Sequence, residues 1–162
     1  MHCDAPPVCD DVDLWSRQHY AALLTECRRL WNDGFDVILN RSHIGEFVYG
    51  NLYRKSDPEW VFDLHKHVLL SHWQQDFYFD NVAPRIKTLI VVDNGENLIK
   101  RDDGLSLATS VDSFNKEYRR WNLCAARLAE IDPNTTLIDW AMSPFSEDAL
   151  KQIVADLRGT NQ

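Results

Sequence analysis

The sequence predicts an α/β architecture, a parallel sheet flanked by helices, on three observations. Thr88-Leu89-Ile90-Val91-Val92 is a short, continuous aliphatic run, the pattern of a strand covered on both faces. Segments with three- and four-residue apolar periodicity alternate with such short runs, so helices alternate with strands. The chain has 162 residues, 44% hydrophobic and 26% charged, which suits one globular domain spanning 1–162 with a real core. It shows no internal repeat or low-complexity segment, and Pro and Gly are too sparse to mark a linker.

Tyr20, Leu23, Leu24, Cys27, Leu30 and Trp31 recur at helical steps, and Gly34 follows where a left-handed residue would end the helix, predicting about four turns. Phe35 to Leu39, apolar except for Asp36, predicts a buried strand that leads into Asn40-Arg41. Asp57-Pro58 supplies an N-cap and a first-turn proline for a helix whose face carries Val61, Leu64, His65, Val68, Leu69 and His72. Asp93 closes the Thr88–Val92 strand, and the polar stretch from Asn94 to Ser110, with Gly95 and Gly104, predicts a mobile loop. Val111, Phe114, Tyr118, Trp121, Ala125 and Leu128 then resume helical spacing. Asp132-Pro133-Asn134 predicts a turn, Thr135 to Trp140 a strand, and Leu150, Ile153, Val154 and Leu157 a terminal amphipathic helix.

The net charge of -8 and the pI near 5.1 argue against bulk electrostatic binding to nucleic acid, which needs a cationic stripe to displace counterions. Cys3, Cys9, Cys27 and Cys124 form no C-x-x-C pair, and there is neither a signal-peptide pattern nor an apolar run of membrane-spanning length, so a cytoplasmic setting is expected. Cys27, Cys124, Trp31 and Trp121 fall on apolar helical faces and are expected in the core. Trp15, Trp60, Trp73 and Trp140 have no place assigned by pattern. Of His65, His67 and His72, only the first and last share a helical face, and no acidic or cysteine ligand accompanies them, so no metal site is expected. Asp10, Asp11 and Asp13 are expected at a helix start, where the dipole favours carboxylates.

The candidate chemistry centres on Arg41. A strand that delivers an arginine at its carboxyl end places a bidentate cation where open α/β sheets bind ligands, and a guanidinium suits phosphate. Taken alone, Arg41 could equally pair with a surface carboxylate. His43, Glu46, Tyr49, Tyr53 and Arg54 nevertheless crowd into the helical stretch that follows.

The run Asn40-Arg41-Ser42-His43-Ile44-Gly45-Glu46-Phe47-Val48-Tyr49-Gly50-Asn51-Leu52-Tyr53-Arg54 resembles the Asp-Arg-x-His/Trp-x-x-Glu-x-x-Tyr-Gly-x-x-x-Arg stretch of thymidylate-kinase-like P-loop kinases, especially the small bacteriophage and bacterial deoxynucleotide-kinase-like proteins. Asn97-Leu98-Ile99-Lys100-Arg101-Asp102-Asp103-Gly104 resembles the arginine-bearing lid that closes over ATP in that family, which makes 94–110 a lid-like loop. The resemblance implies ATP-dependent phosphoryl transfer to a nucleoside monophosphate such as dTMP, with Mg2+. Arg41, Lys100 and Arg101 would be the catalytic cations, and Asn40, His43, Glu46, Tyr49, Tyr53 and Arg54 would bind the acceptor. Positioning and charge neutralisation of this kind are most of phosphoryl-transfer catalysis.

Two departures from the family pattern matter. Asn40 stands where the family usually has Asp, and an amide supplies no charge to a magnesium-bound water. No G-x-x-x-x-G-K-[ST] is present either: Gly45 and Gly50 have the glycine spacing, but Asn51 and Leu52 occupy the lysine and hydroxyl positions. In the resembled fold, with strand order 2-3-1-4-5, the segment around His2-Cys3-Asp4 would be the second strand, and the first strand, the phosphate loop and the first helix would be absent. Neighbouring strand edges would then be unpaired, at about 1–3 kcal/mol for each buried orphan group. The chain is therefore expected to be an N-terminally incomplete or remodelled kinase domain with weak or absent ATP turnover, forming a homodimer or joined by a complementing chain that carries the P-loop. Two other readings follow: a non-catalytic nucleotide-binding or protein-interaction module, and a phage kinase acting on a hydroxymethylated base in DNA, which the acidic charge disfavours.

Overall fold

A computed structural model describes residues 11–70, 87–104, 106–142, 148, 151, 152 and 155. The chain divides into two compact units, Met1–Pro84 and Arg85–Gln162. Among the described residues no helix is long and apolar enough to cross a membrane.

The first unit is helical. Helix α1 spans Val12–Asn32, longer than periodicity alone predicts, because Asp11 caps it: its carboxylate accepts the Leu14 N–H at 2.8 Å. Gly34, at φ +89, lies just beyond the α1 C-cap Asp33. The segment from Phe35 to Leu39 forms no strand, which corrects the expectation. It finds no strand to pair with among the described residues, and its apolar side chains stand in solvent, Ile38 at 93% exposure and Phe35 at 59%. Apolar composition can select a strand only where a neighbouring edge supplies the hydrogen bonds.

Helix α2 spans Ile44–Arg54 and ends at Lys55, whose left-handed backbone caps it. Helix α3, Trp60–Leu64, begins at Glu59 rather than at Asp57, whose carboxylate instead accepts the Glu59 N–H at 3.4 Å. It widens into a π-helical turn over His65–Leu70. His72 and Trp73 lie outside the described residues. Helix α1 packs on α3 and on the π-helical turn, and α2 packs on α3. Leu23, Leu24, Ile44, Phe47, Val48, Trp60, Val61 and Phe62 form the core, with the Phe47 and Phe62 rings edge to face at 4.9 Å.

In the second unit, strands β1 (Thr88–Val92) and β2 (Thr135–Asp139) pair in parallel, with Thr88 opposite Thr135 and Val92 opposite Asp139. A parallel pair needs a crossover connection, and helices α4 (Gly95–Arg101) and α5 (Val111–Ile131) provide it. Helix α4 occupies the start of the predicted loop, which corrects that expectation: Asn94 caps it, its side chain accepting the Asn97 N–H at 2.9 Å. A reciprocal capping box starts α5, in which Ser110 Oγ accepts the Ser113 N–H at 3.2 Å and Ser113 Oγ accepts the Ser110 N–H at 2.9 Å.

Helix α5 packs on both strands, and Ile90 and Val92 are buried with Phe114, Cys124, Ala125 and Leu128. Leu89 and Val91, on the other side of β1, are 38% and 45% exposed, so β1 is covered on one face rather than two. Burial pushes the Cys124 thiol up to about 12 and keeps it inert, whereas Cys27, Trp31 and Trp121 are only half-buried. Asp148, Lys151, Gln152 and Ala155 are helical; Leu150, Ile153, Val154 and Leu157 lie outside the described residues, as do Cys3, Cys9 and Asp10.

Gly95 is fixed by a close approach. A Cβ there would lie 2.4 Å from the Val111 carbonyl oxygen and 2.9 Å from Asn115 Oδ1, which accepts the Gly95 N–H. Gly95→Ala is expected to pry α4 from α5 and destabilise the second unit by about 1–3 kcal/mol, read as a lower thermal midpoint. Gly45→Ala, whose Cβ would meet nothing nearer than Tyr49 Cδ2 at 3.6 Å, is the control and should leave the midpoint nearly unchanged.

Candidate functional site

Arg41 sits in the first unit, between the exposed Phe35–Leu39 segment and α2, with a left-handed backbone at φ +61. It is exposed, and its guanidinium makes no ion pair among the described residues. Asn40 beside it is also exposed.

Two residues on, the chain plunges inward. His43, the N-cap of α2, is 1% exposed, and its Nε2 lies 3.3 Å from Nδ1 of His65, itself fully buried at the head of the π-helical turn. The two rings stack at 5.4 Å between centroids, and Tyr20 of α1 lies 6.4 Å from His43 and 6.4 Å from Trp60. Arg17 sits over the Trp60 indole at 5.9 Å. Among the described residues, His43 Nδ1 finds no hydrogen-bond partner. A buried N–H without an acceptor costs more than a buried lone pair without a donor, so the proton belongs on His43 Nε2, donated to His65 Nδ1.

Helix α2 sorts the remaining residues of the motif. Glu46 and Arg54, two turns apart, form an ion pair at 14% and 24% side-chain exposure, so these two predicted acceptor contacts are engaged with each other. Tyr49 and Tyr53, one turn apart, stack at 6.3 Å and 22°. Gly45 and Gly50 both lie inside α2, where their backbone groups serve the helix. A Cβ at Gly50 would lie 2.5 Å from Ser56 Oγ, so this glycine admits the loop after α2 rather than a phosphate.

Lys100 and Arg101 belong to the second unit, in the last turn of α4. Arg101 pairs with Asp93, 4% exposed at the carboxyl end of β1, and its guanidinium lies 5.6 Å from the Trp140 ring. Asp93 also accepts the Asn94 N–H at 2.8 Å and Asn97 Nδ2 at 2.9 Å. Burial alone would raise the Asp93 pKa; the Asn97 and Asn94 hydrogen bonds and the Arg101 cation together outweigh it and hold the carboxyl below its ordinary value. At the end of β2, Asp139 accepts the Tyr118 hydroxyl at 2.5 Å and the Ala141 N–H at 2.9 Å. That hydrogen bond to a carboxylate raises the Tyr118 pKa and keeps the phenol protonated. Both carboxylates thus stand at the carboxyl ends of parallel strands, where open α/β sheets present their ligand sites. Lys100 is exposed and makes no ion pair among the described residues.

Of the sequence-derived candidates, Arg41, Asn40 and Lys100 are presented to solvent, whereas His43, Glu46, Arg54 and Arg101 are held by partners within their own units. Two of those partnerships, His65 with His43 and Asp93 with Arg101, carry no motif, and neither does the separate pairing of Tyr118 with Asp139. Only Asp93 had a visible signal, as the carboxylate directly after the most aliphatic strand. No group of three His, Cys, Asp or Glu side chains among the described residues is placed to hold a metal ion.

The imidazole pair makes stability depend on pH. Burial, reinforced by the adjacent His65, depresses the His43 pKa from 6.5 to about 3. The unfolded chain therefore binds a proton that the folded chain refuses. The stability of the first unit should be complete above pH 6.5 and fall, by roughly 1.4 kcal/mol per pH unit from His43 alone, as the pH drops from 6.5 towards 3. Urea titrations at pH 7.5 and 5.5 would show the slope, and His43→Gln should flatten it. No protein-family model matches this chain, and neither the curated proteins nor the solved structures contain a significantly similar one.

Proposed function

We propose that the chain is a nucleotide-kinase-like protein that recognises a nucleoside monophosphate of the dTMP type and transfers phosphoryl groups from ATP weakly or not at all. The observation that carries this reading is Arg41. A left-handed backbone at a non-glycine residue costs about 1–2 kcal/mol. At Lys55 the same conformation caps α2, but at Arg41 it terminates no helix. What it achieves there is to present a guanidinium that makes no ion pair among the described residues, beside the stretch that resembles an acceptor-binding motif. The Tyr49–Tyr53 stack on the following helix supplies aromatic surface suited to a base.

The donor side is where the resemblance departs from these residues. ATP and Mg2+ come with the resembled family, but the residues present do not fit them. A triphosphate cradle needs a run of free N–H groups with a lysine, whereas Gly45 and Gly50 lie within α2 and Arg101 is held by Asp93. Asn40 is uncharged where a carboxylate would favour the metal. These same features favour a second reading, a binding module that keeps the acceptor pocket and performs no transfer. A hydroxymethylated DNA base as acceptor fits least, because the net charge of -8 repels a polyanion.

Calorimetry with dTMP and with ATP, alongside a coupled phosphorylation assay, tests the proposal. The expected result is dTMP binding that Arg41→Ala weakens by about 10- to 100-fold, the loss of charge-assisted hydrogen bonds, with no heat from ATP. Failure to bind dTMP would overturn acceptor recognition. Phosphorylation of dTMP at an ordinary kinase turnover of about 1–100 per second would overturn the impaired-transfer part.

A further inference from the structure

The segment that carries Arg41 has few anchors. From Asp33 to Arg41 every residue but Val37 is exposed, and none belongs to a helix or strand. The first buried residues after Arg41 are His43 and Ile44, at 1% and 7% exposure. Ile44 contributes non-directional apolar contact. His43 contributes a hydrogen bond, and its partner, His65, lies 22 residues further on.

We infer that His65 is a positioning residue for Arg41: through its buried hydrogen bond to His43 it fixes the chain two residues beyond the arginine and so fixes where the guanidinium is presented. Three features support the assignment. The helix widens to π geometry at His65, and such widenings are frequent at functional positions. The bond joins two imidazoles in a site that excludes water, so neither ring has a solvent substitute for the other. Tyr20 and the His43–His65 stack fill the space around the bond, which restricts either ring from rotating to another partner. The consequence for ligand affinity rests on the acceptor reading of Arg41; the positioning itself does not.

The side-chain amide of Asn overlays the Nδ1 position that His65 uses, whereas that of Gln reaches one bond further, and Leu keeps bulk without polarity. Limited trypsin digestion of the full chain, with cleavage sites identified by mass spectrometry, reads the position of Arg41 directly. Cleavage after Arg28 and Arg29 in α1 reports general opening of the same unit. His65→Leu and His65→Gln are expected to speed cleavage after Arg41 at least 10-fold relative to those α1 sites, with His65→Asn within about 3-fold of the unmodified protein. Equal cleavage after Arg41 in all four proteins would overturn the inference, as would acceleration that rises equally at Arg28 and Arg29, or a His65→Asn protein that behaves like His65→Leu. Affinity for dTMP should follow the same order. If the cleavage order appears and the unmodified protein does not bind dTMP, the acceptor reading fails and the positioning role stands.

Discussion

A polar group that loses its water must find a partner inside the protein, and in the first unit that requirement falls on one imidazole. His43 is buried because Ile44, Phe47 and Val48 draw the start of α2 into the core formed with Trp60, Val61 and Phe62. Once there, it is partnered by His65, and so the helix that follows Pro58 must lie where His65 can reach it. The entry of α2, the π-helical widening and the place where Arg41 emerges are linked through that bond. The neutral state of His43 follows from the same burial, reinforced by the adjacent His65.

The second unit meets the same requirement with charge. Asp93 is buried at the end of β1 and gathers Asn94, Asn97 and Arg101 around it, which closes α4 back onto the strand that precedes it. Tyr118 does the corresponding work for Asp139, tying α5 to the end of β2. The two helices of the crossover are thus held to the sheet by one hydrogen-bonded carboxylate each, in addition to the apolar packing of Ile90 and Val92 beneath α5. An arginine bound in this way is less available to a ligand than composition suggests. That is why the lid-like reading of Lys100 and Arg101 divides: both are exposed, but Arg101 is engaged by Asp93 and Lys100 makes no ion pair among the described residues.

Much of the helical layout was legible in the sequence. Periodicity located α1 and α5, Gly34 falls just past the end of α1, an aliphatic run marked β1, and β2 was expected directly after the Asp132-Pro133-Asn134 turn. The Phe35–Leu39 run misled because its composition suits a strand, yet strand formation depends on a neighbouring edge that no local pattern encodes. Helix α4 was hidden by its glycine and its polar residues; Asn94, at the N-cap, and Gly95, at the first helical position, are what start it. For the site, sequence picked out His43 on the α2 stretch and Arg101 after Asn94 but not their partners, because His65 and Asp93 are brought to them by folding within each unit.

The exposed apolar residues have a colloidal consequence. Ile38 and Phe35 in one unit, and Leu89 and Val91 in the other, present apolar surface that water solvates poorly. The formal net charge of -8 at pH 7 opposes the approach of one copy of the chain to another. That repulsion has a range of about 10 Å in 0.1 M salt and about 3 Å in 1 M salt. The repulsion therefore weakens as ionic strength rises and as the pH approaches the pI of about 5.1, which leaves the exposed apolar surface less opposed.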